Sequence, residues 1–263
     1  TNENHLREMI ESVLAQTFTD FEFLLLNDSP DNQKIKRIIQ TYKDNRIVYL
    51  ENPHNLGISA SRNRLLDMAQ GEYLAIFDHD DICVPERLEL EVSYLDSHPE
   101  VGVCSGWLQS MSNNRLLKHP EHNDEIKNSL MFSCAVVHSA AMIRKSVLVD
   151  NGIRYEANYS PAEDYMLWIR LLGVTMFYNY QKPLILYRDH ADNTTNRQKG
   201  KMRDKDRMIK CIAYKEYPYL LPKNKLRIWI CLFGVIPFIK IRTYLDKRSY
   251  LLFGLVPLWT CKF

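Results

Sequence analysis

The sequence predicts an α/β fold, a mixed sheet flanked by helices with a basic, amphipathic appendage at its C-terminal end. Three observations carry this. Helical periodicities alternate with short apolar runs at intervals of about 20–30 residues. Two of those runs end in acidic turns. The charge is divided: residues 1–195 hold 18 Lys and Arg against 28 Asp and Glu, and residues 196–263 hold 16 against 4.

The first element is a helix, because Leu6, Met9, Ile10, Val13 and Leu14 recur at i, i+3, i+4, i+7 and i+8. Residues 21–26 form a continuous apolar run before Asn27-Asp28-Ser29-Pro30, which reads as a buried strand closed by a turn. Ile35, Ile38, Ile39 and Tyr42 give a second helix face, and residues 47–50 a short strand. Residues 58–69 read as a helix that Gly71 stops. Residues 73–77 are another apolar strand, ending at Asp78-His79-Asp80-Asp81. Pro85 opens a helix carrying Leu88, Val92 and Leu95, and residues 101–104 are a strand. Beyond residue 105 the alternation loosens. Residues 135–143 and 184–188 read as strands, and residues 162–172 as a helix.

Composition narrows the class. Hydrophobic residues make up 46% and charged residues 25% of the 263, enough for a sizeable core and incompatible with a disordered chain. The six cysteines form no CxxC pair and read as reduced and cytosolic. The longest uncharged runs, residues 228–239 and 249–261, are shorter than the roughly 20 apolar residues of a bilayer span. The C-terminal segment contains a near-repeat offset by 20 residues, Leu232-Phe233-Gly234-Val235-Ile236-Pro237 and Leu252-Phe253-Gly254-Leu255-Val256-Pro257.

In sheets of this kind ligands bind beyond the carboxyl ends of the strands, where Asp28 and Asp78–Asp81 gather. Three carboxylates within four positions repel one another, and a hard divalent ion relieves the repulsion. Asp28 can accept hydrogen bonds from a base or ribose, or can cap a turn. Arg62, between a strand and a helix, can meet a diphosphate or lie on the surface. Glu163 and Asp164 at a helix start suit either the helix dipole or a general base. His190, at a strand end, is a better metal candidate than His138, which lies within an apolar run.

Together these pieces resemble a family 2 glycosyltransferase with the GT-A (Rossmann-like) fold, over roughly residues 3–195. The resemblance rests on Ile10-Glu11-Ser12-Val13-Leu14-Ala15-Gln16-Thr17-Phe18, Phe21-Glu22 with the strand to Asp28, and Asn55-Leu56-Gly57. It continues through Ser61-Arg62-Asn63, Ala69-Gln70-Gly71-Glu72-Tyr73, Asp78-His79-Asp80-Asp81 with Pro85 and Arg87-Leu88, Glu163-Asp164 with Trp168 and Arg170, and Tyr187-Arg188-x-His190. It implies a GT-A domain over residues 1–195, with a nucleotide half over about 1–104 and an acceptor half over about 105–195.

The resemblance also implies roles. Asp28 and Arg62 would contact the nucleotide, and Asp78 the ribose or metal. Asp80 would ligate Mn²⁺ or Mg²⁺, with His190 a further ligand, and Asp164 or Glu163 would be the catalytic base. The implied reaction is an inverting, metal-dependent transfer of a hexosyl or N-acetylhexosaminyl group from a nucleotide-sugar, most often UDP-linked, to a hydroxyl of a glycan or lipid-linked acceptor. Tails of this type resemble those of bacterial enzymes that build surface polysaccharide or lipopolysaccharide. Such enzymes begin with a hydrophobic strand ending in a Pro-x-Tyr-Asn-like turn, and Thr1 lies just past it. An open central sheet position and a weakened base pocket are therefore expected, and the alternative is a non-catalytic remnant that binds sugar-nucleotide or lipid.

Residues 196–263 interleave Lys and Arg with Trp229, Phe233, Phe238, Tyr244, Tyr250, Phe253 and Trp259, a pattern suited to an anionic membrane surface. The expected location is cytoplasmic, peripheral on the inner face of the cytoplasmic membrane. No nucleic-acid partner is expected, since no recognition motif accompanies the charge.

Overall fold

A computed structural model describes residues 2–190, 193–194 and 196–221 with their side chains, and residue 195 and four strands beyond residue 226 by their backbone. The elements run in the order α1 Glu3–Leu14, β1 Phe23–Asn27, α2 Gln33–Gln40, β2 Ile47–Glu51, α3 Ile58–Met68, β3 Tyr73–Ala75, β4 Ile82–Cys83, α4 Arg87–Ser97 and β5 Val101–Ser110. There follow β6 Leu116–Leu117, α5 Asn123–Leu130, β7 Met142–Arg144, α6 Lys145–Asp150, α7 Glu163–Leu171, β8 Met176–Tyr187, α8 Thr194–Arg197 and α9 Lys199–Glu216.

Helix α1 starts where the Asn2 side chain accepts from the backbone N–H of Asn4 at 2.9 Å. It buries Leu6, Met9, Ile10 and Val13, the stripe its periodicity predicts, in one core with Phe23, Ile38 and Ile39. On the other side of the molecule, α7 buries Tyr165, Met166, Leu167, Trp168, Ile169 and Leu171 in the largest core. Ile209 and Ala213 of α9 are fully buried in that same core. The folded body therefore runs on past residue 195, the boundary expected from the sequence. The charge change at residue 196 is a change of surface, while the apolar stripe continues beneath it.

The sheet is mixed and in two pieces. Parallel β1 and β2 pair with Phe23 opposite Ile47, and the six-stranded piece runs β3-β7-β5-β8-β4 with β6 beside β5. Within it β5 and β8 are parallel and the other pairings antiparallel. Strands β1 and β3 each pair along one edge only. Their starts are tied side by side, because the Glu22 carboxylate accepts from the backbone N–H groups of Gln70 (2.5 Å) and Gly71 (3.3 Å). Ala75 of β3 is exposed.

Residues 135–143, expected as one strand, form a 3₁₀ turn at His138–Ala140 followed by the short strand β7. The run is apolar because it is wholly buried, and its small Ser139, Ala140 and Ala141 pack against the Arg87 guanidinium. The expected strands at 101–104 and 184–188 are the beginning and end of the long strands β5 and β8. Cys83, Cys104 and Cys134 are free thiols, whereas Cys211 is disulfide-bonded, contrary to the reading of six reduced cysteines.

Beyond residue 226 the backbone forms a four-stranded antiparallel meander of β9 Arg227–Leu232, β10 Ile236–Tyr244, β11 Lys247–Leu252 and β12 Val256–Lys262. Each copy of the near-repeat begins on the last residue of one strand and ends within the next, so the repeat is a repeated hairpin. The membrane docking expected of this segment falls on side chains outside the described residues. No helix among the described residues is long and apolar enough to cross a membrane.

Candidate active site

The acidic turns follow the ends of β1 and β3, and neighbouring residues of α3 reach toward each of them. At the end of β1 the Asp28 carboxylate accepts from Asn52 Nδ2 (2.7 Å) and from the backbone N–H groups of Leu56 (2.8 Å) and Gly57 (2.9 Å). Burial raises its pKa, but these donors outweigh burial and hold the group below the usual carboxylate range. Asp28 thus fixes the loop that enters α3, where Gly57 supplies a left-handed φ of 84°. The helix after Pro30 is capped instead by Asn32.

Three consecutive residues of α3 reach three different places. Ser61 Oγ receives a hydrogen bond from Asn52, within the Asp28 network. Arg62 donates from Nη1 to Glu163 Oε1 (2.9 Å) and from Nη2 to Asp78 Oδ1 (3.4 Å). Asn63 holds the backbone of Tyr155. Arg62, expected beside the nucleotide, therefore bridges the rim to the start of α7.

Past β3 the acidic turn divides by environment. The Asp78 side chain is 42% exposed. Asp80 Oδ2 lies 2.9 Å from His190 Nε2, and both side chains open partly to the rim. Asp81 is buried and accepts from the backbone N–H of Arg188 at 3.0 Å. Burial and the neighbouring Asp78 charge push its carboxyl up to about 7, against the lowering effect of that hydrogen bond. Arg188 Nε donates to the carbonyl of Asp80 at 3.0 Å, and its guanidinium also pairs with Glu8 of α1. These bonds lash the end of β8 to the acidic turn and so bring His190 to Asp80.

At the start of α7 the two carboxylates differ. Glu163 is 4% exposed and pinned by Arg62, and its Oε2 is buried without a hydrogen-bond partner. Asp164 is partly open, and its Oδ1 accepts from the backbone N–H of Tyr165 at 2.7 Å. Desolvation and then the Glu163 charge push Asp164 up to about 6, with the Tyr165 N–H and Arg62 pulling the other way. A partly exposed carboxylate that ionises near neutral pH can take a proton from a hydroxyl.

Arg87 is a residue whose part the sequence did not reveal. It is 1% exposed, and it donates to Glu91 (2.9 Å) and to the carbonyls of Ser139 (2.8 Å), Ile76 (3.0 Å) and Ala141 (3.2 Å). Ile76 stands two residues before Asp78, so Arg87 anchors the approach to the rim from beneath.

Among the described residues no group of three or more His, Cys, Asp and Glu side chains is gathered to hold a metal ion. Asp80 and His190 supply an oxygen and a nitrogen donor 2.9 Å apart on two different elements. That suits a divalent ion which takes few protein ligands and completes its shell with phosphate oxygens and water.

Comparison with known proteins sets this geometry in context. The sequence model of Glycosyl transferase family 2 matches residues 1–151. The uncharacterized glycosyltransferase MJ1057 of Methanocaldococcus jannaschii is 35% identical over 178 residues, covering 65% of this chain and 61% of that protein. The amylovoran biosynthesis glycosyltransferase AmsE of Erwinia amylovora is 30% identical over 175 residues, 65% of each chain. The UDP-Glc:alpha-D-GlcNAc-diphosphoundecaprenol beta-1,3-glucosyltransferase WfgD of Escherichia coli is 27% identical over 172 residues, again 65% of each chain. The chain spans less than two thirds of the length of each of these relatives. Among solved structures, Staphylococcus aureus TarS residues 1–349 with UDP-GlcNAc superposes with a TM-score of 0.66 at 17% identity, covering 80% of this chain and 63% of that one. The mannosyltransferase PcManGT from Pyrobaculum calidifontis with GDP-Man and Mn²⁺ gives 0.60 at 13% identity, covering 83% and 61%. These likenesses identify the fold as GT-A.

Proposed function

The chain belongs to glycosyl transferase family 2, and from that premise we propose that it transfers a sugar from a nucleoside diphosphate donor to a hydroxyl of a glycan or lipid-linked acceptor, with inversion. The carrying observation is the pairing at the start of α7. Glu163 is committed to Arg62, Asp164 is partly exposed and unpaired with any cation among the described residues, and the same Arg62 reaches Asp78.

Asp28 and its loop, with Asp78, line the donor end. Asp164 accepts the proton of the acceptor hydroxyl while the oxygen attacks the anomeric carbon and the bond to the diphosphate breaks. One displacement inverts that carbon. Arg62 holds the second carboxylate, Glu163, in an ion pair away from the reacting hydroxyl. Asp80 and His190 are the residues that would hold Mn²⁺ or Mg²⁺, which when bound offsets the charge of the departing diphosphate. A relative with a UDP-glucose donor and a neighbour holding UDP-GlcNAc support a UDP-linked hexosyl or N-acetylhexosaminyl group.

An anionic, lipid-linked acceptor draws support from the basic end of the folded body. Arg197 and Lys201 line a cavity of about 570 Å³ with Thr194, Gln198 and Gly200. The first turn of α9 holds Lys199 and Lys201 and no acidic residue, an arrangement the helix dipole disfavours without a nearby anion. Asn196 Nδ2 donates to the carbonyl of His190 at 3.0 Å, which sets this cavity beside the rim. Named relatives act in amylovoran biosynthesis and on a diphosphoundecaprenol-linked sugar. A place in cell-surface polysaccharide or lipopolysaccharide synthesis, peripheral on the inner face of the cytoplasmic membrane, follows from that reading.

The alternative reading is a non-catalytic binder of sugar-nucleotide or lipid. Release of UDP from UDP-glucose or UDP-GlcNAc in the presence of Mn²⁺ and a polyprenyl-diphosphate-linked acceptor separates the two. Transfer abolished by Asp164→Asn supports the enzyme, and binding of donor without any turnover supports the binder.

A further inference from the structure

Tyr155 lies in no motif, yet the parts of the site converge on it. It is 5% exposed. Its backbone is clamped at both polar atoms by one side chain: the Tyr155 N–H donates to Asn63 Oδ1 at 2.9 Å, and Asn63 Nδ2 donates to the Tyr155 carbonyl at 2.9 Å. Its hydroxyl is hydrogen-bonded to His138 Nε2 at 2.9 Å. His138 is held well below the usual histidine range by burial and by the charges of Arg62 and Arg87, so this is a bond between two neutral groups. The Tyr155 ring is thereby fixed at its backbone and at its tip. Over its face, with Cζ 5.4 Å from the ring centre, lies the guanidinium of Arg62.

A guanidinium is planar, and an aromatic face beneath it fixes the orientation in which its N–H groups fan out. The two bonds that orientation permits go to carboxylates far apart in the chain, Asp78 and Glu163. We propose that Tyr155 is a positioning residue of this site, the floor that seats Arg62 between the donor rim and the carboxylate pair of α7. The inference rests on the reading of Asp164 as the base. It explains why the Ser61-Arg62-Asn63 segment has three polar residues in a row: Asn63 sets the ring on which Arg62 is seated.

The consequence for the base can be signed. Asp164 faces Glu163 on its own helix, Arg62 on α3, Asp78 at the rim, Tyr155, and Cys134 after α5. Of these Arg62 alone is positive. If Arg62 loses its seat, Asp164 loses the favourable charge of that guanidinium, which raises the pH at which Asp164 ionises.

The test is a carbon-13 carboxyl NMR titration of the full chain, with the Asp164 signal assigned by its loss in Asp164→Asn. Tyr155→Phe keeps the ring and should leave the Asp164 midpoint within about 0.2 pH unit of the unaltered chain. Tyr155→Leu removes the ring and should raise it by about half a unit or more. Should Tyr155→Leu not fold, Asn63→Ser loosens the clamp and should move the midpoint the same way. An unmoved midpoint in a folded Tyr155→Leu or Asn63→Ser chain overturns the proposal. The titration needs neither donor nor acceptor. Retained transfer by Asp164→Asn would therefore end the base assignment while leaving the seating of Arg62 to be judged on the midpoint alone.

Discussion

Arg62 Nη1 and Glu163 Oε1 stand 2.9 Å apart across 101 positions of sequence. One side chain comes from the first half of the fold and the other from the second, and both are largely buried. The pair joins the halves at the point where donor and acceptor would meet.

Removing one partner leaves the other charged and unpaired. Arg62→Ala should cost about 3 kcal/mol of folding stability, since Glu163 is then a buried carboxylate without a cation. Glu163→Gln should cost less, because Arg62 keeps Asp78. The double variant should be more stable than Arg62→Ala alone. Urea denaturation of the four chains measures the coupling; strict additivity would contradict it.

If Asp164 is the base, it should set an acid limit on turnover. With its carboxyl pushed up to about 6 by burial and Glu163, kcat should fall roughly tenfold per pH unit below that value and level off above it. Asp164→Asn should lower kcat by roughly a hundredfold or more and leave the donor KM within about threefold. The folded-state pKa lies above the 3.8 of an unperturbed Asp, so the protonated form suits the fold. Stability from this group is present in acid and is lost as pH rises through about 6. Asp164→Asn should therefore melt higher than the unaltered chain at pH 8 and show little gain near pH 4, a difference that calorimetric scans at the two pH values record.

Arg87 is a structural counterpart to Arg62. Its guanidinium serves Glu91 and three backbone carbonyls in a fully buried setting. Arg87→Leu should cost about 3–5 kcal/mol, and Arg87→Lys should recover little, since an ammonium cannot reach four acceptors set in a plane. Equilibrium unfolding checks both, and equal stability of the Lys variant and the native chain would contradict the assignment.

Deleting residues 226–263 should release the protein from vesicles containing phosphatidylglycerol, and binding by the full chain should weaken as salt rises. Co-sedimentation measures both. Undiminished binding by the shortened chain would assign the interaction to the folded body.

The sequence made the frame legible wherever local pattern and burial agree. The stripe at Leu6, Met9, Ile10 and Val13 is buried as its spacing requires, and the strand before Asp28 forms where the apolar run predicts it, buried at Phe23 and half-buried over residues 24–26. The pattern failed at residues 135–143, since a fully buried segment of small residues looks the same whether it is strand or turn. In the site, the acidic turn and His190 were readable as chemistry because charge beside an apolar run is conspicuous. The structure brings Asp80 to His190 and parts Asp28 and Asp81 into hydrogen-bonded roles of their own. The choice between Glu163 and Asp164 was not readable, because it depends on Arg62 arriving from a distant helix. Tyr155 left no signal, and Arg87 stood in a motif that did not show its part. One works through its ring face and the other through carbonyls of remote segments, and neither leaves a local pattern.

The central claim is that the rim around Asp80 and His190 grips a nucleoside diphosphate together with a divalent ion. Titration calorimetry of UDP and GDP into the full chain, with Mn²⁺ and then with EDTA, tests it most directly. One of the two should bind with Mn²⁺ and weaken by about tenfold or more with EDTA or in Asp80→Ala. Affinity indifferent to both changes, or no binding of either nucleotide, would contradict the claim.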